Sequence, residues 1–112
     1  MKVDITTEST YHQINIEGRI DATNVGDFEN EVLPFAQDST LNLLINFQEV
    51  NYISSAGLRA ILKIAKITQA KKIKLVCANL QPAVLDVFKI SGFSSILHCY
   101  SNFDEAIAYI NG

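Results

Sequence analysis

From residue 40 onward the chain alternates between two apolar periods, and no other sequence feature restricts its fold as much. Strand-like runs recur at 40–47, 73–77 and 95–99, with helical patterns after each. Leu58, Ile61, Leu62 and Ala65 share one helix face, and Arg59, Lys63 and Lys66 share another. Pro82 opens a second helical stretch that stops at Ser91-Gly92, with proline at the start and glycine past the end. Phe103, Ile107 and Ile110 share a face of a third. A strand, a crossover helix and a further strand in one sheet pair in parallel, so this region implies a parallel sheet.

The front of the chain differs. Val3-Asp4-Ile5 and Tyr11 to Ile16 alternate apolar with polar residues, as half-buried strands do, and Ser9-Thr10 suits a hairpin turn between them. Val25, Phe28, Val32 and Ala36 then fall on one helix face, with Thr23 or Asn24 as the expected N-cap. Pro34 is expected to kink or end this helix. The run from Thr40 to Phe47 is apolar at its centre, as in a strand covered on both faces, and Gln48 to Tyr52 is expected to be a loop. The fold class is therefore α/β, with a hairpin making the sheet mixed.

A length of 112 residues suits one compact domain, and a hydrophobic content of 48% argues against disorder. Apolar runs such as Leu43-Leu44-Ile45 are far below the roughly 20 residues of a membrane span, and no secretory leader is evident. Cys77 and Cys99 sit in apolar, strand-like stretches and read as free thiols, pointing to a reducing, cytoplasmic setting. A net charge of −3 has the wrong sign for a dedicated nucleic-acid binder. The charge is nonetheless segregated. Arg59, Lys63, Lys66, Lys71, Lys72 and Lys74 follow one another with no acid between Ser55 and Val76. Such a block is either a solvated helix face or a surface that steers an acidic partner.

Parallel α/β sheets place functional groups where strands pass into helices. The junction Tyr52-Ile53-Ser54-Ser55-Ala56-Gly57-Leu58 stands out, with two hydroxyls, a small residue and a glycine at the start of the basic helix. A serine there can be no more than an N-cap, and the glycine no more than a tight turn. A phosphate on that hydroxyl would instead meet free backbone N–H groups and the positive helix end, adding about −1.5 to −2 charges. Catalysis has little to work with. Ile53 stands where a Gly-x-Ser-x-Gly elbow needs glycine, and His12 and His98 occupy alternating strand positions. No phosphate-binding glycine loop and no Cys-x-x-Cys is present, and Asn46-Phe47-Gln48 has no carboxylate for a receiver-type phosphoacceptor. No cofactor or metal is expected.

Three segments together resemble the signature of STAS domains, the sulphate transporter and anti-sigma factor antagonist family. They are Gly18-Arg19-Ile20-Asp21; Ile45-Asn46-Phe47 with Val50 to Leu58; and Asn79 to Val84 with Phe88 and Ser91-Gly92-Phe93. The resemblance spans essentially the whole chain in the right order. It implies a four- to five-stranded mixed sheet packed against about four helices, and the role of an anti-sigma factor antagonist. In such a circuit the unmodified domain binds an anti-sigma factor that is also a serine kinase, which frees the sigma factor. That kinase phosphorylates a serine at the second helix, a PP2C-type phosphatase reverses the step, and the ATP belongs to the kinase.

Counting back from Gly57-Leu58 places the acceptor on Ser55. The resemblance also implies a partner surface at Asp21 and Ser55, framed by Ala56, Gly57 and Leu58. The expected surface further takes in Thr23, Asn24 and Ser54 at the two junctions and Arg59 and Lys63 of the basic helix face. Many phosphorylated antagonists have aspartate before the acceptor, whereas here Ser54 holds that place, so Ser54 is the alternative acceptor. Related domains also serve without phosphorylation as interaction subunits of lipid-transport or stressosome-like complexes. That is the alternative function.

Overall fold

The alternating residues at the front form a hairpin, β1 (Lys2–Thr7) and β2 (Tyr11–Ile20), paired antiparallel. The structure is a computed structural model describing residues 1–112. Next come α1 (Val25–Asp38), β3 (Asn42–Ile53), α2 (Ser55–Ala70), β4 (Leu75–Ala78) and α3 (Pro82–Ile90). A 3-10 turn at Phe93–Ser95, β5 (His98–Tyr100) and α4 (Phe103–Asn111) complete the chain. The strands lie in the order β1-β2-β3-β4-β5, with every pair from β2 onward parallel. This is the expected α/β architecture, a mixed five-stranded sheet with an N-terminal hairpin and four helices. No helix is long and apolar enough to cross a membrane.

The main core lies between the sheet and α1, α2 and α3. Phe28 and Val32 from α1, Ile61 and Ile64 from α2, and Phe88 from α3 meet Ile14, Ile45 and Phe47 of the strands. Phe47 and Phe88 pack edge to face at 5.8 Å. Each such side chain contributes about 1.5–3 kcal/mol on leaving water. The opposite sheet face is covered only in part, where Ala106 and Ile110 of α4 close over Leu44, Val76 and Ala78. Beyond α4 the strands present amides instead. Asn15 Oδ1 accepts from Gln13 Nε2 and Asn46 Nδ2, and Asn79 Nδ2 donates to Asn46 Oδ1.

Four sequence expectations change. Pro34 neither ends nor interrupts α1, which runs on to Asp38. Buried Phe28, Val32 and Ala36 clamp the helix on both sides of it, while Pro34 and Asn30, whose carbonyl loses its partner, face solvent. Residues 48–52 are strand rather than loop. Between Asn15 and Glu17 of β2, its partner β3 advances from Asn46 to Glu49, and between Gly18 and Arg19 it advances from Val50 to Tyr52. Those two extra residues leave Phe47, Val50 and Ile53 buried three apart, which hides the strand period. Gly18 sits at this irregularity with φ 101°, which a side chain would strain.

The later strands are shorter than expected. Ile73 N still bonds Thr68 O at the end of α2, so β4 starts only at Leu75. Ser95 is not in β5, because its hydroxyl donates to Gly92 O and helps close the 3-10 turn.

His12 ties three elements together. Its Nδ1 is 2.9 Å from Thr7 Oγ1, its Nε2 is 2.9 Å from Ser39 Oγ, and its ring meets the edge of Phe35. Burial lowers its pKa, so the folded chain favours the neutral ring. The stability this supplies is present above the unfolded value of about 6.5 and is lost as pH falls through the folded value. Urea unfolding is expected to give a lower free energy at pH 5.5 than at pH 7.5, and His12→Asn is expected to flatten that slope. An unchanged slope in His12→Asn would assign the pH dependence elsewhere.

Candidate functional site

Parallel pairing of Ile20 with Ile53 ends β2 and β3 side by side. The chain therefore leaves the sheet at two adjacent junctions, Asp21 after β2 and Ser54 after β3. Ser54 N donates to Ile20 O at 2.9 Å and joins them directly.

At the β2 junction the polar side chains hold one another. Asp21 Oδ1 accepts from Thr23 N and Thr23 Oγ1, and Arg19 Nε lies 3.6 Å from Asp21 Oδ2. Asn24 Oδ1 accepts from Asp21 N, and its Nδ2 donates to Arg19 O. Asn24 is thus the N-cap by position, but its side chain ties down the turn instead of capping α1. The Thr23 hydroxyl and N–H, helped by the Arg19 guanidinium, hold the Asp21 carboxyl below the usual carboxylate range. A negative charge is therefore fixed at this junction at neutral pH.

The β3 junction separates the two serines. Ser54 is the N-cap of α2, its extended backbone letting Oγ accept from Gly57 N at 3.2 Å. Ser55 is the first helical residue, and it is exposed whereas Ser54 is half-buried. The cap expected from a serine here is thus Ser54. Ser55 is spare, and it opens a helix whose first-turn N–H groups have no carbonyl partner within the helix. Arg59, also exposed, is four residues on and shares its face. Ser54→Ala is expected to cost about 0.5–2 kcal/mol as a lost cap, and Ser55→Ala less than about 0.5 kcal/mol. Thermal or urea unfolding of the two variants measures this order, and a larger loss for Ser55→Ala would reverse the assignment.

Gly57 sets how closely α2 approaches the strands. A Cβ there would lie 2.7 Å from Ile53 Cγ1 and 2.9 Å from Ile20 Cγ2. Leu58 is buried behind it and Ala56 is half-buried, so these two anchor the turn more than they face outward. Lys63 is one turn beyond Arg59 and pairs with Glu29 of α1 at 3.2 Å. It bridges two helices rather than extending a free basic face. The geometry thus brings Asp21, Thr23, Asn24, Ser55 and Arg59 to one end of the sheet and gives Ala56, Leu58 and Lys63 structural contacts.

Arg19 and Tyr52 were not expected here. The Arg19 guanidinium lies 4.4 Å above the Tyr52 ring, and Tyr52 is 42% exposed. Their pairing in register was hidden with the strand that carries Tyr52. His12 and His98 lie away from this end, the first on Thr7 and Ser39 and the second stacked on Tyr109.

Known proteins share both fold and sequence with this chain. BtrV of Bordetella bronchiseptica, a candidate anti-sigma factor antagonist, is 32% identical over 93 residues, covering 83% of this chain and 80% of its own. A candidate anti-sigma factor antagonist from Thermotoga maritima superposes with a TM-score of 0.92 at 15% identity, over 98% of this chain and 95% of its own. The Bacillus anti-sigma factor antagonist SpoIIAA superposes in its unphosphorylated form with a TM-score of 0.75 at 16% identity, over 99% of both chains. Its phosphorylated form gives 0.73 at 17% identity, over 97% of this chain and 99% of its own. At those identities the superpositions show the fold alone. The STAS-domain profile matches residues 2–106, nearly the whole chain and all three segments that carried the resemblance. With the sheet order, the paired junctions and BtrV in agreement, the chain belongs to the STAS domain family.

Proposed function

We propose that residues 1–112 act as one regulatory domain, an anti-sigma factor antagonist switched by phosphorylation of Ser55. Unmodified, the domain docks on an anti-sigma factor that is also a serine kinase, and the sigma factor is released. Phosphate on Ser55 ends the contact, and a PP2C-type phosphatase restores it. One observation carries this reading. Ser55 offers an exposed hydroxyl at the first residue of α2, while Ser54 is occupied as the cap.

A phosphate at Ser55 would be tolerated by the fold, because the α2 N-terminus and Arg59 one turn away both favour an anion. A partner docked at this face would meet the added charge beside the Asp21 carboxylate, on a surface fitted to the unmodified serine. The partner surface then consists of Asp21, Thr23, Asn24, Ser55 and Arg59, with Ser54, Ala56, Gly57, Leu58 and Lys63 setting its shape. Relatives that carry the antagonist name support the role, and SpoIIAA occurs in a phosphorylated form. In this reading the domain acts by binding, in keeping with the antagonist names of its relatives.

Affinity purification tests the role. The immobilised chain is expected to retain a serine kinase that also binds a sigma factor, and added ATP is expected to release it. Retention of membrane-transport subunits instead, unaffected by ATP, would replace this reading with that of a constitutive interaction subunit.

A further inference from the structure

The basic block from Arg59 to Lys74 separates into engaged and free cations. Lys63 pairs with Glu29. Lys71 Nζ donates to Gln37 O and Ser39 O, closing the end of α1. Lys74 Nζ donates to Tyr109 O at 2.8 Å and Gly112 O at 2.9 Å, closing the end of α4. Arg59 belongs to the Ser55 face. Lys66 and Lys72 remain, both exposed and in none of the ion pairs.

These two lysines border the same cleft. It has a volume of about 580 Å³ and lies between the C-terminal half of α2, the start of β4, residues 96–98 and the end of α4. Leu62, Ala65, Leu75 and Leu97 contribute its apolar lining. The remaining wall includes Ile96, left 59% exposed, and the stacked rings of His98 and Tyr109, 4.2 Å apart. No carboxylate side chain lines it. A concave site of roughly 300–1,000 Å³ with apolar walls and a few placed charges is what a small ligand needs. Its unpaired charge is positive, on a chain whose net charge is −3.

We propose that this cleft binds an anionic amphiphile, a medium-chain carboxylate whose head meets Lys66 and Lys72 and whose chain covers Leu62, Leu75, Leu97 and Ile96. Aliphatic side chains in the same cleft as two unpaired ammonium groups match a single acidic head and a saturated tail. Thr68 and Gln69 also line it, but Lys74, the third cation there, is already engaged with the end of α4, which leaves no further free charge for a polyphosphate. Lys66 is eleven residues along α2 from Ser55, about 16 Å at the helical rise. The site is therefore separate from the Ser55 face, and neither proposal depends on the other.

Titrating the full chain with sodium octanoate, followed by amide nitrogen–proton correlation spectra, tests this, with 1-octanol and sodium acetate as controls. Saturable shifts confined to the neighbourhood of Leu62, Leu75, Leu97 and Tyr109 are expected with octanoate. Octanol is expected to bind about tenfold more weakly, and acetate not measurably. The double variant Lys66→Gln with Lys72→Asn is expected to lose about tenfold in octanoate affinity. Both positions are exposed, and asparagine tolerates the φ of 60° at Lys72, so the fold should survive. Absence of saturable shifts, equal binding of octanol, or an unaffected double variant would each overturn the proposal. Sedimentation with mixed phosphatidylcholine and phosphatidylglycerol vesicles should leave the chain in solution. Pelleting that depends on the two lysines would overturn it in favour of a membrane surface.

Discussion

Ser55→Asp is expected to weaken binding to the partner kinase by about a hundredfold while leaving the fold intact. Placing a like charge against a complementary interface costs several kcal/mol, and about 2.7 kcal/mol is a factor of one hundred. Inside the domain the same charge is mildly favourable. A carboxylate at the first position of α2 faces the helix N-terminus, worth about 0.3–1 kcal/mol, with Arg59 one turn away. Stability and binding should therefore move in opposite directions, which no simple folding defect would produce. Ser55→Ala is expected to bind like the wild type and to ignore ATP. Calorimetric titration against the partner, with urea unfolding of each variant, measures both quantities. Wild-type affinity in Ser55→Asp would contradict the switch.

Gly57→Val is the largest stability loss expected at the site itself. A valine Cβ would approach Ile53 and Ile20 within 3 Å, and both isoleucines are buried, at 2% and 0% exposure. Overpacking of this kind costs about 1–3 kcal/mol, occasionally more, and a β-branched residue in the first turn offers no compensation. That is a large part of the roughly 5–15 kcal/mol that holds a typical domain. Ile20 and Ile53 end the strands bearing Asp21 and Ser54, so any relief of the clash also moves the site. Gly26→Ala is the control, because nothing lies within 4 Å of its would-be Cβ and it sits in α1. It is expected to be neutral or to stabilise by up to about 1 kcal/mol. Equal unfolding midpoints for the two variants would mean that the approach of α2 to the strands is not sterically set.

Much of this was legible because the physics is local. Period two in Val3 to Ile5 and Tyr11 to Ile16, and period near four from Leu58 to Ala65, follow from which face is buried. Ser55 could be picked out because the strand-to-helix passage is written in small and polar residues. Other features depend on neighbours distant in sequence. The bulges of β3 arise from its pairing with β2, so Val50 and Ile53 do not alternate with Phe47 and the segment looked like a loop. Pro34 stays helical because buried residues on both sides hold α1 against the sheet across an exposed defect. The choice of Ser54 as cap over Ser55 depends on which residue ends β3, a matter of register. The charge run looked like one face, but Lys63, Lys71 and Lys74 are engaged by α1 and α4, elements that pattern alone does not bring near.

The central claim is that the exposed Ser55, rather than the capping Ser54, receives the phosphate. Incubation of the chain with its partner kinase and ATP, then tandem mass spectrometry of the peptide carrying both serines, tests it directly. A single phosphate on Ser55 is the expected result. Phosphate on Ser54, or a bound partner that leaves both serines unmodified, would contradict it.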